Sequence, residues 1–111
     1  MISVIIATSE SEQLLVPTLA ALVPGAMAGT VHEVIIADAG SRDGTMRIAD
    51  AAGCRMVMTP GLPGVRLKSA AAAARAPWLM FLRPGCVPDV TFTFQFGGSV
   101  WLYVWRKGRA R

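Results

Sequence analysis

Four short apolar runs, Ile2–Ala7, Val34–Ala37, Cys54–Met58 and Trp78–Leu82, are spaced so that one helix fits between each and the next. Each run is too short for a buried helix. The first two are rich in β-branched residues and read as strands covered on both faces. Alternation of strand and helix builds a parallel sheet with right-handed crossovers, because parallel neighbours cannot be joined by a tight turn. The expected fold is therefore α/β: a small, mostly parallel sheet with flanking helices.

The connecting segments fill in this frame. Ser9-Glu10-Ser11-Glu12 has capping-box spacing, with Ser9 as N-cap. The helix after it places Leu15, Leu19, Leu22 and Val23 on one face. Pro17 is expected to delay its regular part by a turn, and Pro24-Gly25 to stop it. Met46, Ile48, Ala49 and Ala52 have helical spacing, with Gly53 as the residue just past the end. Thr59–Gly64 reads as a loop and Val65–Arg75 as an alanine-rich helix broken by Ala76-Pro77. Ligands in such sheets bind beyond the carboxyl ends of the strands. Those ends are Ala7-Thr8-Ser9, Asp38-Ala39-Gly40, Thr59-Pro60 and Arg83-Pro84-Gly85.

A chain of 111 residues makes one domain, and 53% hydrophobic against 16% charged residues excludes disorder. The net charge of +4 is local, since Arg106, Lys107, Arg109 and Arg111 carry it. The rest is neutral, so no basic face for nucleic acid is expected. Cys54 and Cys86 fit no metal spacing and read as reduced, buried residues, with a disulfide the alternative. His32 reads as a loop residue and the six methionines as core filler. The apolar start is too short for a signal peptide and no run reaches membrane-span length, so a cytoplasmic location is expected.

There is no G-x-x-x-x-G-K-S/T loop, no G-x-G-x-x-G and no G-x-S-x-G elbow. These absences remove P-loop hydrolases, nicotinamide dehydrogenases and α/β-hydrolases. Two other patterns are present. One is Ser3-Val4-Ile5-Ile6-Ala7-Thr8 with acids just after it. The other is Glu33-Val34-Ile35-Ile36-Ala37-Asp38-Ala39-Gly40-Ser41-Arg42-Asp43-Gly44-Thr45. Together they resemble the opening of family 2 glycosyltransferases, of GT-A fold, which carry S-V-I-I-P-T and then E-V-I-V-V-D-x-G-S-x-D-G-T. The alanine-rich helix and Trp78–Leu82 resemble the family's next segment. The likeness runs over residues 1–89.

This resemblance implies an NDP-sugar donor, a UDP-sugar first among them, bound along the strand ends and transferred to an acceptor that the sequence does not identify. It places Ala7 and Thr8 at the wall around the base. It makes Asp38 the acceptor for base or ribose, with Ala39 and Gly40 beside it. The alternative for Asp38 is a turn-shaping role; Asp43 reads as structural. Arg66 and Lys68 stand near a helix start where phosphates are favoured, or else are surface cations.

The departures are as informative. The family's Asp-x-Asp, which holds magnesium or manganese on the diphosphate, is replaced by Arg83-Pro84-Gly85, so no metal cofactor is expected. Arg83 either pairs with the diphosphate directly or is a solvent-facing turn residue in a degenerate site. Ser9 stands where many relatives have a base-stacking aromatic residue. The acceptor half is missing, and Asp89 is the only acid after Asp50. A truncated transferase is one expectation. A non-catalytic remnant, or a module binding nucleotide or a partner protein, is the other.

Beyond residue 89 the composition changes. Six of the eight aromatic residues fall in 91–111 but only one of the 17 alanines, which separates a 1–89 domain from a 90–111 tail. Thr91–Phe96 alternates with period two, Gly97-Gly98-Ser99 is a turn signal and Val100–Trp105 is a second apolar run, a hairpin pattern. Three readings are open for the tail. It is a non-homologous end from a frameshift or truncation. It is an interfacial anchor, Trp101, Tyr103 and Trp105 preceding the basic cluster at a membrane surface. Or it covers a sheet edge that otherwise invites self-association.

Overall fold

The structure is a computed structural model that describes residues 1–85 and 87 and the backbone of 103–106. The elements run β1 (Ile2–Thr8), α1 (Glu12–Met27), β2 (Val31–Asp38), α2 (Thr45–Ala51), β3 (Arg55–Met58), α3 (Pro63–Ala73), β4 (Trp78–Leu82) and β5 (Tyr103–Arg106). The sheet order is β3-β2-β1-β4-β5. β1 pairs parallel with β2 and β4, and β2 parallel with β3. The α/β expectation holds: four parallel strands with three helices, and β5 antiparallel against β4.

Strand alternation sorts the apolar residues onto two faces. Val4, Ile6, Ile36, Met80 and Leu82 pack with Leu15, Leu19 and Leu22 of α1 and Ala49 of α2. Ile5, Ile35, Ala37 and Leu79 pack with Ala70 and Ala74 of the α3 segment. Alanine dominates this second face, so α3 can lie close to the sheet.

Several local expectations are corrected. Ser9 is not the N-cap of α1; Ser11 is, with no side-chain cap hydrogen bond. Glu12 does not close a capping box, because its Oε1 accepts from Gly44 N–H at 2.7 Å. Pro17 does not delay the helix, being far enough inside to cost a bond without stopping it, and Pro24-Gly25 does not end it. Val23 is exposed, and buried Thr18 and Gly25 share the inner face instead. α3 starts at Pro63, using proline at its first position, and stops before Arg75. His32 is an exposed residue within β2 rather than in a loop. The methionines are mostly not core: only Met80 is fully buried, Met56 is partly so, and Met1, Met27, Met46 and Met58 are exposed.

Cys54 is free and half-buried, and burial pushes its thiol up to about 11. Cys86, Asp89, Trp101, the Thr91–Phe96 half of the expected hairpin and the basic residues 107–111 lie outside the described residues. No helix among the described residues is long and apolar enough to cross a membrane.

Candidate functional site

Strand order reverses at β1: β2 and β3 build outward on one side, β4 and β5 on the other. α1 and α2 pack on one face and α3 on the opposite one. At such a switch point the loops leave in opposite directions and a crevice opens beyond the carboxyl ends. A groove of about 830 Å³ lies there, lined by Ala7, Ser9, Ser11, Leu14, Pro63, Arg66, Leu67, Phe81, Leu82, Arg83 and Pro84. Among the described residues two guanidinium groups line it and no carboxylate does.

Arg66 is placed by the first turn of α3 and is only 6% exposed. Its Nη1 donates to the Thr8 carbonyl oxygen at 2.6 Å, while its buried Nε has no hydrogen-bond partner. The described residues contain one salt bridge, Arg55–Glu33, so Arg66 has no acidic partner among them. A buried cation without a counter-charge is costly. An anion in the groove would offset that cost, and the first-turn N–H groups of α3 favour the same sign. Arg83, exposed at the end of β4, lines the groove too.

The loop after β2 is organised by Asp38. Its Oδ2 accepts from the N–H groups of Gly40 (2.9 Å) and Ser41 (2.7 Å), and its Oδ1 from the hydroxyls of Ser41 (2.7 Å) and Thr8 (2.6 Å). Desolvation raises the Asp38 pKa, but hydrogen bonds from Ser41, Thr8 and the two backbone N–H groups outweigh it and hold the carboxyl below its usual range. The residue has no exposed surface. These bonds display the turn-shaping role for Asp38, whose oxygens accept from the loop and from β1; it is not among the residues that line the groove, and contact with a base or ribose is the other expectation for it.

The same loop is laced to the start of α1. Glu10, at φ +48°, accepts from Arg42 N–H (2.7 Å) and Asp43 N–H (3.2 Å). Asp43 accepts from Glu12 N–H at 3.2 Å and from Thr45 N–H at 3.0 Å, the structural role expected of it. Gly40 sits at φ +101° with open space around a would-be Cβ, so conformation alone requires glycine there. Gly40→Ala is expected to lower stability by about 1–2 kcal/mol, measured by urea unfolding.

Of the residues expected from the sequence, Ala7, Arg66 and Arg83 come together in the groove. Thr8 is not in the lining; its carbonyl accepts from Arg66 and its hydroxyl donates to Asp38. Ala39 and Gly40 follow Asp38 outside the groove lining, and Lys68 is exposed on α3 and also outside it. Ser11, Leu14, Pro63 and Phe81 were not anticipated. They carry no chemistry that marks them in sequence, and they meet only because α1, α3 and β4 converge.

A family model described as Glycosyl transferase family 2 matches residues 3–83. The chain belongs to that family. No curated protein matches its sequence. Among solved structures it is similar to glucosyl-3-phosphoglycerate synthase from Mycobacterium tuberculosis in complex with Mn2+, UDP and glucosyl-3-phosphoglycerate. Identity is 27% and the TM-score 0.69, over 83% of this chain and 36% of that one. The fold is also that of S. aureus TarS, at 23% identity and TM-score 0.69 over 80% of this chain and 28% of that one. The chain thus spans about a third of these structures, and its fold matches a GT-A half domain.

The Mn2+ of that M. tuberculosis complex raises the question of whether this groove fits a divalent cation. Such ions take oxygen ligands, carboxylates above all. Among the described lining residues, the side-chain oxygens are the hydroxyls of Ser9 and Ser11, beside two guanidinium groups. The nearby Glu10, Glu12 and Asp43 carboxylates are engaged by backbone N–H groups. No group of acids, His or Cys suited to a metal exists among the described residues. They do not fit the ion.

Proposed function

We propose that the groove binds a nucleoside diphosphate sugar, with a UDP-sugar the first candidate. The observation that carries this is Arg66, a buried cation with a free Nε, in a groove that no acid lines among the described residues. Its volume suits a ligand of nucleotide size. Leu14, Leu67 and Phe81 offer apolar surface to a base or sugar ring, while Arg66 and Arg83 offer charge to the diphosphate. Family membership and the UDP held by the M. tuberculosis relative support the same ligand class.

Sugar transfer to an acceptor is the activity that family membership suggests. Inversion at the anomeric carbon needs a base to deprotonate the acceptor hydroxyl. Among the described residues no carboxylate or histidine lines the groove, which favours a second reading: a module that binds the donor nucleotide without transferring sugar.

Titration calorimetry with UDP, UDP-sugars and GDP tests the proposal. Saturable binding is expected, and Arg66→Gln should weaken it at least tenfold. Thermal unfolding of the variant separates lost binding from lost folding. Absence of saturable binding to every nucleoside diphosphate would overturn it. Release of sugar onto any acceptor would exclude the second reading.

A further inference from the structure

We infer that this groove takes its diphosphate without a divalent cation, Arg66 and Arg83 doing the charge neutralisation that a metal ion would otherwise do. This rests on the nucleotide-binding reading and adds to it the ionic form of the ligand: the free diphosphate anion rather than its metal complex.

Three observations support it independently of any ligand. First, among the described residues the groove lining holds two guanidinium groups and no carboxylate, so the electrostatics favour an anion and repel a dication. Second, Arg66 is 94% buried by the complement of its 6% exposure, and its Nε lacks a partner. Its one side-chain hydrogen bond among the described residues goes to a neutral carbonyl, that of Thr8. A guanidinium presents donors in a fixed planar fork that matches phosphate oxygens. Third, Arg83-Pro84-Gly85 follows β4 directly, with Gly85 at φ +100° and its N–H donating to Thr18 Oγ1 at 2.8 Å. That bond ties the turn to α1, which anchors the backbone carrying Arg83 at the groove mouth. The two arginines therefore reach one groove from different elements, Arg66 from α3 and Arg83 from the end of β4.

The sign of the metal effect distinguishes this arrangement from a metal-bridged one. Magnesium or manganese bound to UDP removes negative charge from the diphosphate and adds a cation that the arginines repel. Metal should therefore weaken binding here, whereas a site built around a metal bridge needs it.

The experiment is calorimetric titration of the full chain with UDP, in excess chelator and again with millimolar magnesium or manganese. Pyrophosphate and uridine serve as separate probes. The expected result is saturable UDP binding in chelator, weakened severalfold by either metal. Pyrophosphate should compete, and uridine should bind far more weakly. Arg83→Ala, an exposed site whose replacement leaves the core untouched, should weaken binding in chelator about tenfold with unchanged thermal unfolding. UDP binding that appears only with metal would overturn this inference and leave nucleotide binding standing. Binding in chelator that Arg83→Ala does not alter would overturn the two-arginine arrangement. No UDP binding under either condition would overturn both this inference and the reading beneath it.

Discussion

Asp38→Ala is expected to destabilise the protein by about 3–5 kcal/mol, the largest effect of any single polar substitution at this end of the sheet. Four donors converge on the carboxylate, two of them backbone N–H groups and one the buried Thr8 hydroxyl. Removing it leaves those donors to find water in a site with no exposed surface. Hydrogen bonds to a charged group are worth about 1.5–3 kcal/mol each, but they share one carboxylate and do not add fully. In a small domain of about 5–15 kcal/mol total stability, the loss is a large fraction. Chemical denaturation should show it as a lower midpoint with unchanged slope. Asp38→Asn should cost less, because one oxygen remains while the amide turns a donor toward donors. The outcome also separates two roles. A loop organiser loses stability and UDP affinity together. An Asp38→Ala variant that unfolds like the parent yet fails to bind UDP would mean that the carboxylate touches the ligand after all.

Glu33→Gln should cost about 2–3 kcal/mol at neutral pH and flatten the acid limb of the stability profile. Glu33 sits at the opposite end of the sheet from the groove. Its Oε2 accepts from Ser3 Oγ and Arg75 N–H, both at 2.6 Å, and its Oε1 from Arg55 Nη1 at 2.7 Å. Arg55 also donates to Ala73 O, and Ser3 Oγ accepts from Ala76 N–H. One carboxylate thereby joins β1, β2, β3 and the end of α3. Desolvation raises its pKa, but the hydrogen bonds from Ser3, Arg55 and Arg75 and the Arg55 charge outweigh it and hold it at about 2, against 4.5 when free. The folded value lies below the unfolded one, so the contribution is complete above pH 4.5 and is lost as pH falls toward 2. A shift of that size corresponds to about 3 kcal/mol at most, reduced because the Arg55 side chain is 36% exposed and partly screened. Unfolding free energies measured from pH 6 down to 2 check this. A parent and variant with the same acid slope would rule out Glu33 as the main acid-sensitive tie.

Much of the fold was legible because strands buried on both faces leave a strong mark. Val4-Ile5-Ile6 and Ile35-Ile36 have no polar option at any position, and all five are fully buried. Helix ends were less legible. Ser9 and Glu12 have capping-box spacing, yet the nearby β2–α2 loop offers the Gly44 N–H to Glu12 and wins. Long-range hydrogen bonds of this kind leave no local periodicity to read. The methionines misled for a related reason, since hydrophobic character does not say which side of a helix or strand end faces water.

The site divides along the same line. That ligands would sit beyond the strand ends, and that Arg66 and Arg83 were the cations near them, followed from strand order along the chain and from residue identity. A family signature around Asp38 was also visible in the sequence alone. Which of these residues face the groove was decided by tertiary structure. The crossover from β3 to β4 carries α3 to the other face of the sheet, gives Arg66 the Thr8 carbonyl as partner and brings it to the groove that Arg83 also lines. The same packing turns Asp38 inward, where β1 and its own loop take all four of its hydrogen bonds. A residue's chemistry is local, but whether a charge is left partnerless or fully satisfied depends on what the distant chain brings beside it.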